Sequence, residues 1–375
     1  MPRQHTYAPA WWVPGPHLRT LYGRLTRSIR RSGAPLKLRT ERWTTPDDDV
    51  LELRRLDPPV DSAAGPAHFA ADSDPTATTT IDAPRLVLLH GLEGGMHSHY
   101  VANFFAEAAR RGWGCDLVLF RGCNGEPNRA RRFYHSGETS DIAFALDRII
   151  AERPGRPIAL AGVSLGGNVL LKYLGERGTG VPPEVVAAAA MSVPFDLARG
   201  CRHIQRGFSK VYERHFLKSL KAKARAKLER YPDLIPDAAA LDGVETLWDF
   251  DDVITAPVHG FESAEDYYRR SSSIRFLQGI QVPTLLLSAE DDPFLPREVL
   301  AEVREIAREV PALELEFVKR GGHVGFTSGW RPWKPLHYGE WRICEFVSRE
   351  LLRVGHGGSA PGPDQPVVNF KKNNC

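Results

Sequence analysis

Cysteine is scarce in this sequence, with five residues in a chain of 375, and the five are widely spaced. No Cys-x-x-Cys pair and no His/Cys cluster has the spacing of a zinc site. A disulfide framework and a zinc-binding module are therefore not expected, and reduced thiols in a cytosolic protein are the simplest interpretation. We expect no metal and no cofactor.

Long apolar runs are also absent. No stretch reaches the roughly 18 apolar residues that a membrane-spanning helix requires. The first residues, MPRQHTYAPAWWVPGPHLRT, are basic, but prolines interrupt them and the apolar core of a secretory signal is missing. These absences predict a cytoplasmic protein.

Neither sign of charge is in large excess. The chain has 49 basic and 46 acidic side chains, a formal net charge of +3, so the composition gives no reason to expect a nucleic-acid partner. Hydrophobic residues make up 42 % of the chain. That fraction allows a large buried core and excludes wholesale disorder. The oligomeric state does not follow from these numbers.

Short apolar runs alternate with helical stretches from Arg85 onward. This alternation predicts an α/β fold, a mostly parallel sheet with helices on both faces. The strand candidates in this region are Arg85–His90, Cys115–Phe120, Pro157–Val163, Val185–Val193, Pro283–Ser288 and Leu313–Lys319. Two earlier candidates, Leu36–Trp43 and Val50–Leu56, are separated by a turn-forming sequence and predict a β-hairpin.

Three segments lie outside this alternation. We expect residues 1–36 to form an extended lead-in that Trp11 and Trp12 anchor. Residues 57–84 are rich in Ala, Asp, Thr, Pro and Ser, which predicts a long mobile surface loop. Residues 356–375 carry Gly, Ser, Pro and Asn and predict a disordered tail.

The remaining residues, 1–355, are predicted to form a single domain with a helical cap. About ninety residues separate two late strands where one helix would suffice, so we expect residues 195–257 to form a cap or lid. Within it, residues 210–230 have eight Lys or Arg and one apolar stripe at helical spacing. We interpret this helix as packing its stripe on the body. Contact with a membrane through the cap is an alternative that we do not predict.

The strongest motif is the pentapeptide GVSLG at residues 162–166. It follows the apolar run IALAGV and precedes a helical run, which is the strand–turn–helix context of a nucleophile elbow. The turn is tight, and side chains in place of its two glycines would collide with the neighbouring strand and helix. The motif predicts that Ser164 is a catalytic nucleophile.

A serine hydroxyl needs a base and an orienting acid to act as a nucleophile at neutral pH. In folds with this elbow the chain order is Ser, acid, His. His323 follows the last strand between glycines and is the candidate base. The acid candidates, Asp291 and Asp292, follow the preceding strand; the Asp-Pro sequence favours Asp292, with Asp291 as the rival.

The segment HGLEGG at residues 90–95 directly follows a predicted strand. In such enzymes this loop supplies one donor of an oxyanion hole, and the residue after the nucleophile supplies the other. The expected donors are the backbone N–H groups of Leu92 and Leu165. We interpret His90 as a buried brace of the loop and assign no role to Glu93.

Several segments together resemble the YheT-like family of α/β hydrolases. The matching pieces are PHLRTL (16–21), HGLEGG (90–95), FRGCNGEPNR (120–129), YHSGET (134–139), GVSLGGN (162–168), DDPF (291–294) and GGHVGF (321–326). The resemblance implies the α/β-hydrolase fold and a cytoplasmic serine hydrolase of carboxylic esters, with lipid-active enzymes among its eukaryotic relatives. It supports Ser164, Asp292 and His323 as the triad but does not settle the substrate.

The resemblance leaves the exact reaction and some pocket residues open. A short-chain or lipid ester is the expected substrate, through an acyl-enzyme intermediate. An acyltransferase with the same triad and a non-catalytic binding protein with a hydrolase fold are the alternatives. Arg121 and His135 are candidates for substrate contact, although we favour a role in shaping their loop.

Overall fold

The computed structural model describes residues 6–27, 36–58 and 83–355. The predictions for the tail at 356–375 and for most of the loop at 57–84 fall outside these residues.

One large sheet forms the centre of the molecule. Its strands are β1 (Arg39–Thr44), β2 (Val50–Leu56), β3 (Arg85–Leu89), β4 (Gly114–Leu119), β5 (Ile158–Val163), β6 (Val185–Met191), β7 (Thr284–Ala289) and β8 (Leu313–Val318). They lie in the order β1-β2-β4-β3-β5-β6-β7-β8. β1 and β2 form an antiparallel hairpin that joins β4, and the other strands are parallel. The predicted α/β fold and the hairpin are confirmed.

Eleven α-helices are present in the described residues. They are α1 (Pro16–Arg27), α2 (Val101–Arg110), α3 (Ser140–Glu152), α4 (Leu165–Arg177), α5 (Leu197–Ile204), α6 (Lys210–Arg230), α7 (Leu247–Phe250), α8 (Ala256–His259), α9 (Ala264–Ser271), α10 (Arg297–Arg308) and α11 (Tyr338–Gly355). Among the described residues, none of these helices is long and apolar enough to cross a membrane.

The central strands β3 to β7 are mostly apolar because both faces of the sheet are covered. On one face Val87 and Leu89 pack with α3, α4 and α10. On the other face Leu86 and Leu88 pack with α2 and α11. Successive side chains of a strand point to opposite faces, so each strand contributes to both layers of the core.

The prediction of a wholly extended N-terminal lead-in is wrong, because Pro16–Arg27 forms α1. The prolines of this region suggested an interrupted chain, but a proline is well suited to the first position of a helix, where its missing N–H has no helical partner. The residues before α1 are anchored by tryptophans. The indole N–H of Trp12 donates to the Gly329 carbonyl at 3.0 Å.

The segment between β6 and β7 contains α5 to α9 and covers the carboxyl end of the sheet. The apolar stripe of α6 does not pack mainly on the body, as we expected, but on other residues of the same segment. Its basic side chains are not all solvated either. Lys227 is 2 % exposed, and its ammonium donates to the Asn128 carbonyl at 2.8 Å and to the Asn128 side chain at 2.7 Å.

A short second sheet lies beside the N-terminal residues. It pairs β9 (Thr327–Ser328) with β10 (Leu336–His337) in antiparallel fashion. The sequence analysis did not predict this two-residue hairpin, since such short strands carry no detectable periodicity.

Candidate active site

Ser164 stands at the sharp turn between β5 and α4. Its φ of +54° is a left-handed conformation that non-glycine residues rarely adopt. A Cβ added at Gly162 would lie 2.5 Å from the Gly166 carbonyl oxygen, and one added at Gly166 would lie 2.5 Å from the His90 carbonyl oxygen. The turn therefore requires glycine at both positions, as expected for a nucleophile elbow.

The structure brings Ser164, His323 and Asp292 into one hydrogen-bonded line. Ser164 Oγ lies 3.0 Å from His323 Nε2, and His323 Nδ1 lies 2.8 Å from Asp292 Oδ2. With the ring proton on Nδ1 donated to the carboxylate, Nε2 is free to accept the serine proton. The Phe294 ring stacks on the imidazole at a centroid distance of 4.1 Å and restricts its rotation.

The two neighbouring aspartates have different positions. Asp292 is buried, and its second oxygen accepts the backbone N–H of Phe294 at 2.8 Å. Asp291 points to the loop that carries His323: Oδ1 accepts the N–H groups of Gly321 and Gly322 at 2.7 and 2.9 Å. Asp292 thus contacts the imidazole of His323, whereas Asp291 binds the backbone N–H groups of the two residues that precede His323.

Helix α1 holds the same loop from outside. Arg19 donates to Asp291 Oδ2 at 3.1 Å, and Thr20 Oγ1 accepts the backbone N–H of His323 at 2.9 Å. Sequence reasoning missed both residues, which lie about three hundred positions from the histidine. Both residues lie in the motif PHLRTL, but a single sequence does not show which residues this motif contacts.

The loop after β3 lies directly against the serine. A Cβ built on Gly91 would be 3.3 Å from Ser164 Cβ, a tight contact that a side chain here could make only if neighbouring atoms moved slightly. Leu92 follows in the same loop, and Leu165 begins α4; both line the cavity that contains Ser164. Both residues that carry the expected oxyanion donors therefore belong to the wall of the cavity that contains the serine.

His90 is fully buried beneath this loop. Its Nε2 lies 3.1 Å from the Phe120 N–H, which can only donate, so the ring proton is on Nδ1 and is donated to the Gly91 carbonyl at 2.8 Å. Burial lowers the pKa of His90 to about 4. A neutral imidazole in one tautomer therefore braces the loop.

We expect His90 to destabilise the protein in acid. Its folded pKa of about 4 lies below the value of about 6.5 for an unfolded histidine, so the unfolded chain binds the proton first. Titration of His90 should by itself lower the free energy of unfolding by about 3 kcal/mol between pH 6.5 and 4, with no loss above pH 6.5. Urea unfolding of wild type and His90→Asn at pH 7.5 and pH 4 measures this contribution, because the pKa values of the buried His135 and His259 are also lowered and these residues titrate in both proteins. A His90→Asn variant that lost as much free energy as the wild type would contradict it.

A cavity of about 1220 Å³ opens above Ser164 and His323. Its walls come from the loops at the carboxyl ends of the strands and from α1, α5 and α6. The apolar members of the lining are Leu21, Met96, Leu119, Phe133, Leu165, Leu197, Ile204, Phe216, Leu220, Leu247, Phe250 and Leu295, among others. In the described part of the chain, no group of three or more His, Cys, Asp or Glu side chains is arranged to hold a metal ion.

Comparison with known proteins agrees with this architecture. A family model described as the alpha/beta hydrolase fold matches residues 84–329. The chain is 43 % identical over 247 residues to "Putative esterase YheT" of Escherichia coli (strain K12), covering 66 % of this chain and 71 % of that protein.

The chain belongs to the YheT-like α/β hydrolases. It is also 27 % identical over 347 residues to phospholipase ABHD3 of Mus musculus, covering 92 % of this chain and 76 % of the relative. Among solved structures, the Pyrococcus furiosus esterase Pf2001 is similar in fold, with a TM-score of 0.52, 15 % identity, and coverage of 86 % and 96 % of the two chains.

In this YheT-like hydrolase, Glu93 links the loop after β3 to helix α6. Its carboxylate accepts the Tyr134 hydroxyl and the Lys223 ammonium, each at 2.8 Å, as well as the Ser219 hydroxyl. Lys223 and Ser219 belong to α6. The sequence analysis gave Glu93 no role, because its partners lie 41 to 130 residues away and no local pattern identifies them.

The two candidates for substrate contact are both engaged within the hydrolase. The fully buried guanidinium of Arg121 forms ion pairs with Asp47, Asp49 and Asp141 at 2.8, 2.9 and 2.7 Å. These bonds tie the hairpin turn and the start of α3 to the end of β4. This arrangement agrees with the loop-shaping interpretation of Arg121.

His135 lies in the cavity wall. Its Nδ1 accepts the N–H of Gly137 at 3.1 Å, and its ring lies 4.5 Å from that of His259. Burial, reinforced by the neighbouring charges, lowers the pKa of His135 well below its usual value. A neutral ring therefore faces the cavity, where it also shapes the loop before α3.

Proposed function

We propose that this chain hydrolyses carboxylic esters, with Ser164 as the nucleophile, His323 as the general base and Asp292 as the acid that orients it. The observation that carries the proposal is the hydrogen-bonded line from Ser164 Oγ through His323 to Asp292, at 3.0 and 2.8 Å. Its position at a strained elbow beside a glycine-rich loop is the arrangement that acyl transfer requires.

In the proposed reaction Ser164 Oγ attacks the ester carbonyl while His323 Nε2 takes its proton. The backbone N–H groups of Leu92 and Leu165 then hold the negative oxygen of the tetrahedral intermediate. As this intermediate collapses, the C–O bond breaks and His323 returns the proton to the leaving alcohol. A water molecule, deprotonated by His323, then attacks the acyl-enzyme. The bond between the acyl carbon and Ser164 Oγ breaks, the acid leaves, and His323 returns the proton to Ser164.

Cys123 also lines the cavity, but its environment argues against a second nucleophile. Burial raises the pKa of its thiol to about 11, so the thiol stays protonated at neutral pH. A protonated thiol is a poor nucleophile. This difference supports Ser164 as the reacting group.

The cavity favours esters with an apolar acyl group. Its walls are mostly hydrocarbon, and apolar walls with a few convergent polar groups are typical of small-molecule sites. The name of the murine relative, a phospholipase, points in the same direction. We therefore propose esters of medium or long acyl chains, lipid esters included, as the substrate class.

Labelling with a fluorophosphonate probe tests the proposal. An activated serine displaces fluoride from the probe and becomes covalently phosphonylated, so wild type should be labelled and Ser164→Ala should not. A series of p-nitrophenyl esters of increasing chain length, assayed in parallel, should show turnover that peaks above the shortest esters.

Absence of labelling in folded wild-type protein would contradict the proposal and favour the binding-protein alternative. Labelling that persists in Ser164→Ala would move the nucleophile to another residue. Adding ethanol to the ester assay distinguishes the acyltransferase, because only a transferase would form the ethyl ester in preference to the free acid.

A further inference from the structure

Several large apolar side chains beside the N-terminal residues are exposed. The exposed fractions are 67 % for Trp11, 79 % for Trp330, 66 % for Trp333 and 56 % for Leu336. We call these four residues the tryptophan surface. Large exposed apolar patches are rare on soluble proteins unless they serve an interaction. These four side chains therefore indicate a binding surface.

The tryptophan surface is held in place by specific contacts. The ring centroids of Trp11 and Trp330 are 6.1 Å apart, and the Trp11 indole N–H donates to the Trp330 carbonyl at 3.2 Å. A β-bridge between Pro9 and Ser328 joins the N-terminal segment to the hairpin of β9 and β10. The N-terminal segment and the hairpin therefore hold the indoles of Trp11 and Trp330 in a fixed arrangement.

Helix α1 connects the hairpin of β9 and β10 with the rim of the cavity. The Tyr22 hydroxyl lies 3.4 Å from the Pro332 carbonyl in the hairpin, while Leu21 of the same helix lines the cavity. On the cap side, Phe208 and Val211 are 51 % and 49 % exposed and line the cavity as well. Helix α1 therefore contacts both the hairpin and the cavity, and the cavity wall also carries exposed apolar side chains.

Cationic side chains lie beside the exposed indoles of the hairpin. The hairpin loop between β9 and β10 carries Arg331 and Lys334, both exposed, and no Asp or Glu. Exposed indoles next to cations suit the interface of a bilayer with anionic headgroups.

We propose that the tryptophan surface docks on a lipid bilayer that contains anionic phospholipids. Trp330 and Trp333 would enter the headgroup region, and Arg331 and Lys334 would pair with lipid phosphates. Docking needs no working triad, so this inference goes beyond the proposed hydrolysis and does not depend on it. It would bring the cavity entrance close to the lipid surface.

Sedimentation of the full chain with vesicles tests the proposal. The vesicles contain phosphatidylcholine, with or without phosphatidylglycerol. We expect wild type to bind vesicles containing phosphatidylglycerol, and the double variant W330S/W333S to bind them at least about tenfold more weakly. The variant R331Q/K334Q should lose the preference for phosphatidylglycerol. Brominated phosphatidylcholine should quench the tryptophan emission of wild type, which tests insertion without any substitution.

Two control variants accompany this measurement. Val354→Ser changes another exposed apolar side chain, 51 % exposed at the end of α11, and should bind vesicles as wild type does. Ser164→Ala should also bind as wild type does, which separates docking from hydrolysis. Turnover of soluble p-nitrophenyl butyrate should be unchanged in W330S/W333S, showing that its fold is intact.

Three outcomes would overturn the proposal: no vesicle binding by wild type, equal binding by W330S/W333S, or no quenching by brominated lipid. A dimer of wild type that dissociates in W330S/W333S, with vesicle binding unaffected, would identify a second copy of the chain as the occupant instead. Failed fluorophosphonate labelling would count against the triad alone, because vesicle binding is measured without turnover.

Discussion

Asp292→Asn is expected to lower kcat for a soluble ester by about 10⁴, with little change in KM. Asp292 Oδ2 lies 2.8 Å from His323 Nδ1 and accepts its proton. A carboxamide can turn its NH₂ toward the ring, which stabilises the tautomer with the proton on Nε2. That tautomer cannot take the proton of Ser164. Steady-state kinetics with p-nitrophenyl butyrate measures the loss.

Asp291→Asn is the matched control, because it makes the same change at the adjacent residue. An amide oxygen can still accept the N–H groups of Gly321 and Gly322, and only the ion pair with Arg19 is lost. We expect kcat to fall by about tenfold or less. If Asp291→Asn caused the larger loss, the orienting acid would be Asp291.

Gly166→Ala is expected to lower the free energy of unfolding by about 3 kcal/mol or more. The added Cβ would lie 2.5 Å from the His90 carbonyl oxygen and 2.6 Å from the Leu89 carbonyl oxygen. Both are backbone atoms at the end of β3, so no side chain can move aside. The helix must shift away from the strand, which also displaces the oxyanion loop. Urea unfolding and ester turnover should therefore both report a large loss.

Gly180→Ala provides the control for this substitution. Nothing lies within 4 Å of a Cβ added there, so its free energy of unfolding should stay within about 0.5 kcal/mol of wild type. A Gly166→Ala variant as stable as Gly180→Ala would show that the elbow tolerates a side chain, and the geometric reason for glycine at this position would be lost.

Helix α6 and the loop after β3 are coupled through a half-buried ion pair. Lys223 on α6 and Glu93 in the loop are 31 % and 8 % exposed and lie 2.8 Å apart. Part of the loop geometry therefore depends on where α6 sits. Glu93 also has a φ of +52°, a conformation that its partners on α6 and Tyr134 help to maintain.

Local sequence was enough for most of the fold. Apolar runs predicted the parallel strands, because strands covered on both faces are apolar at most positions. The elbow was equally local: two glycines around Ser164, after a strand and before a helix, leave one geometry for the turn. The order of Ser164, an acidic pair and His323 along the chain then predicted that the acid and the base follow two late strands.

Tertiary structure decided what local sequence could not. Asp291 and Asp292 are adjacent and chemically identical. Only the tertiary structure shows that Asp292 binds the imidazole of His323 and that Asp291 binds the backbone of the preceding glycines. The roles of α1 and Glu93 were also invisible, because their partners are distant in sequence. A periodic pattern reports which face of an element is buried, whereas a hydrogen bond between distant segments depends on how the whole chain packs.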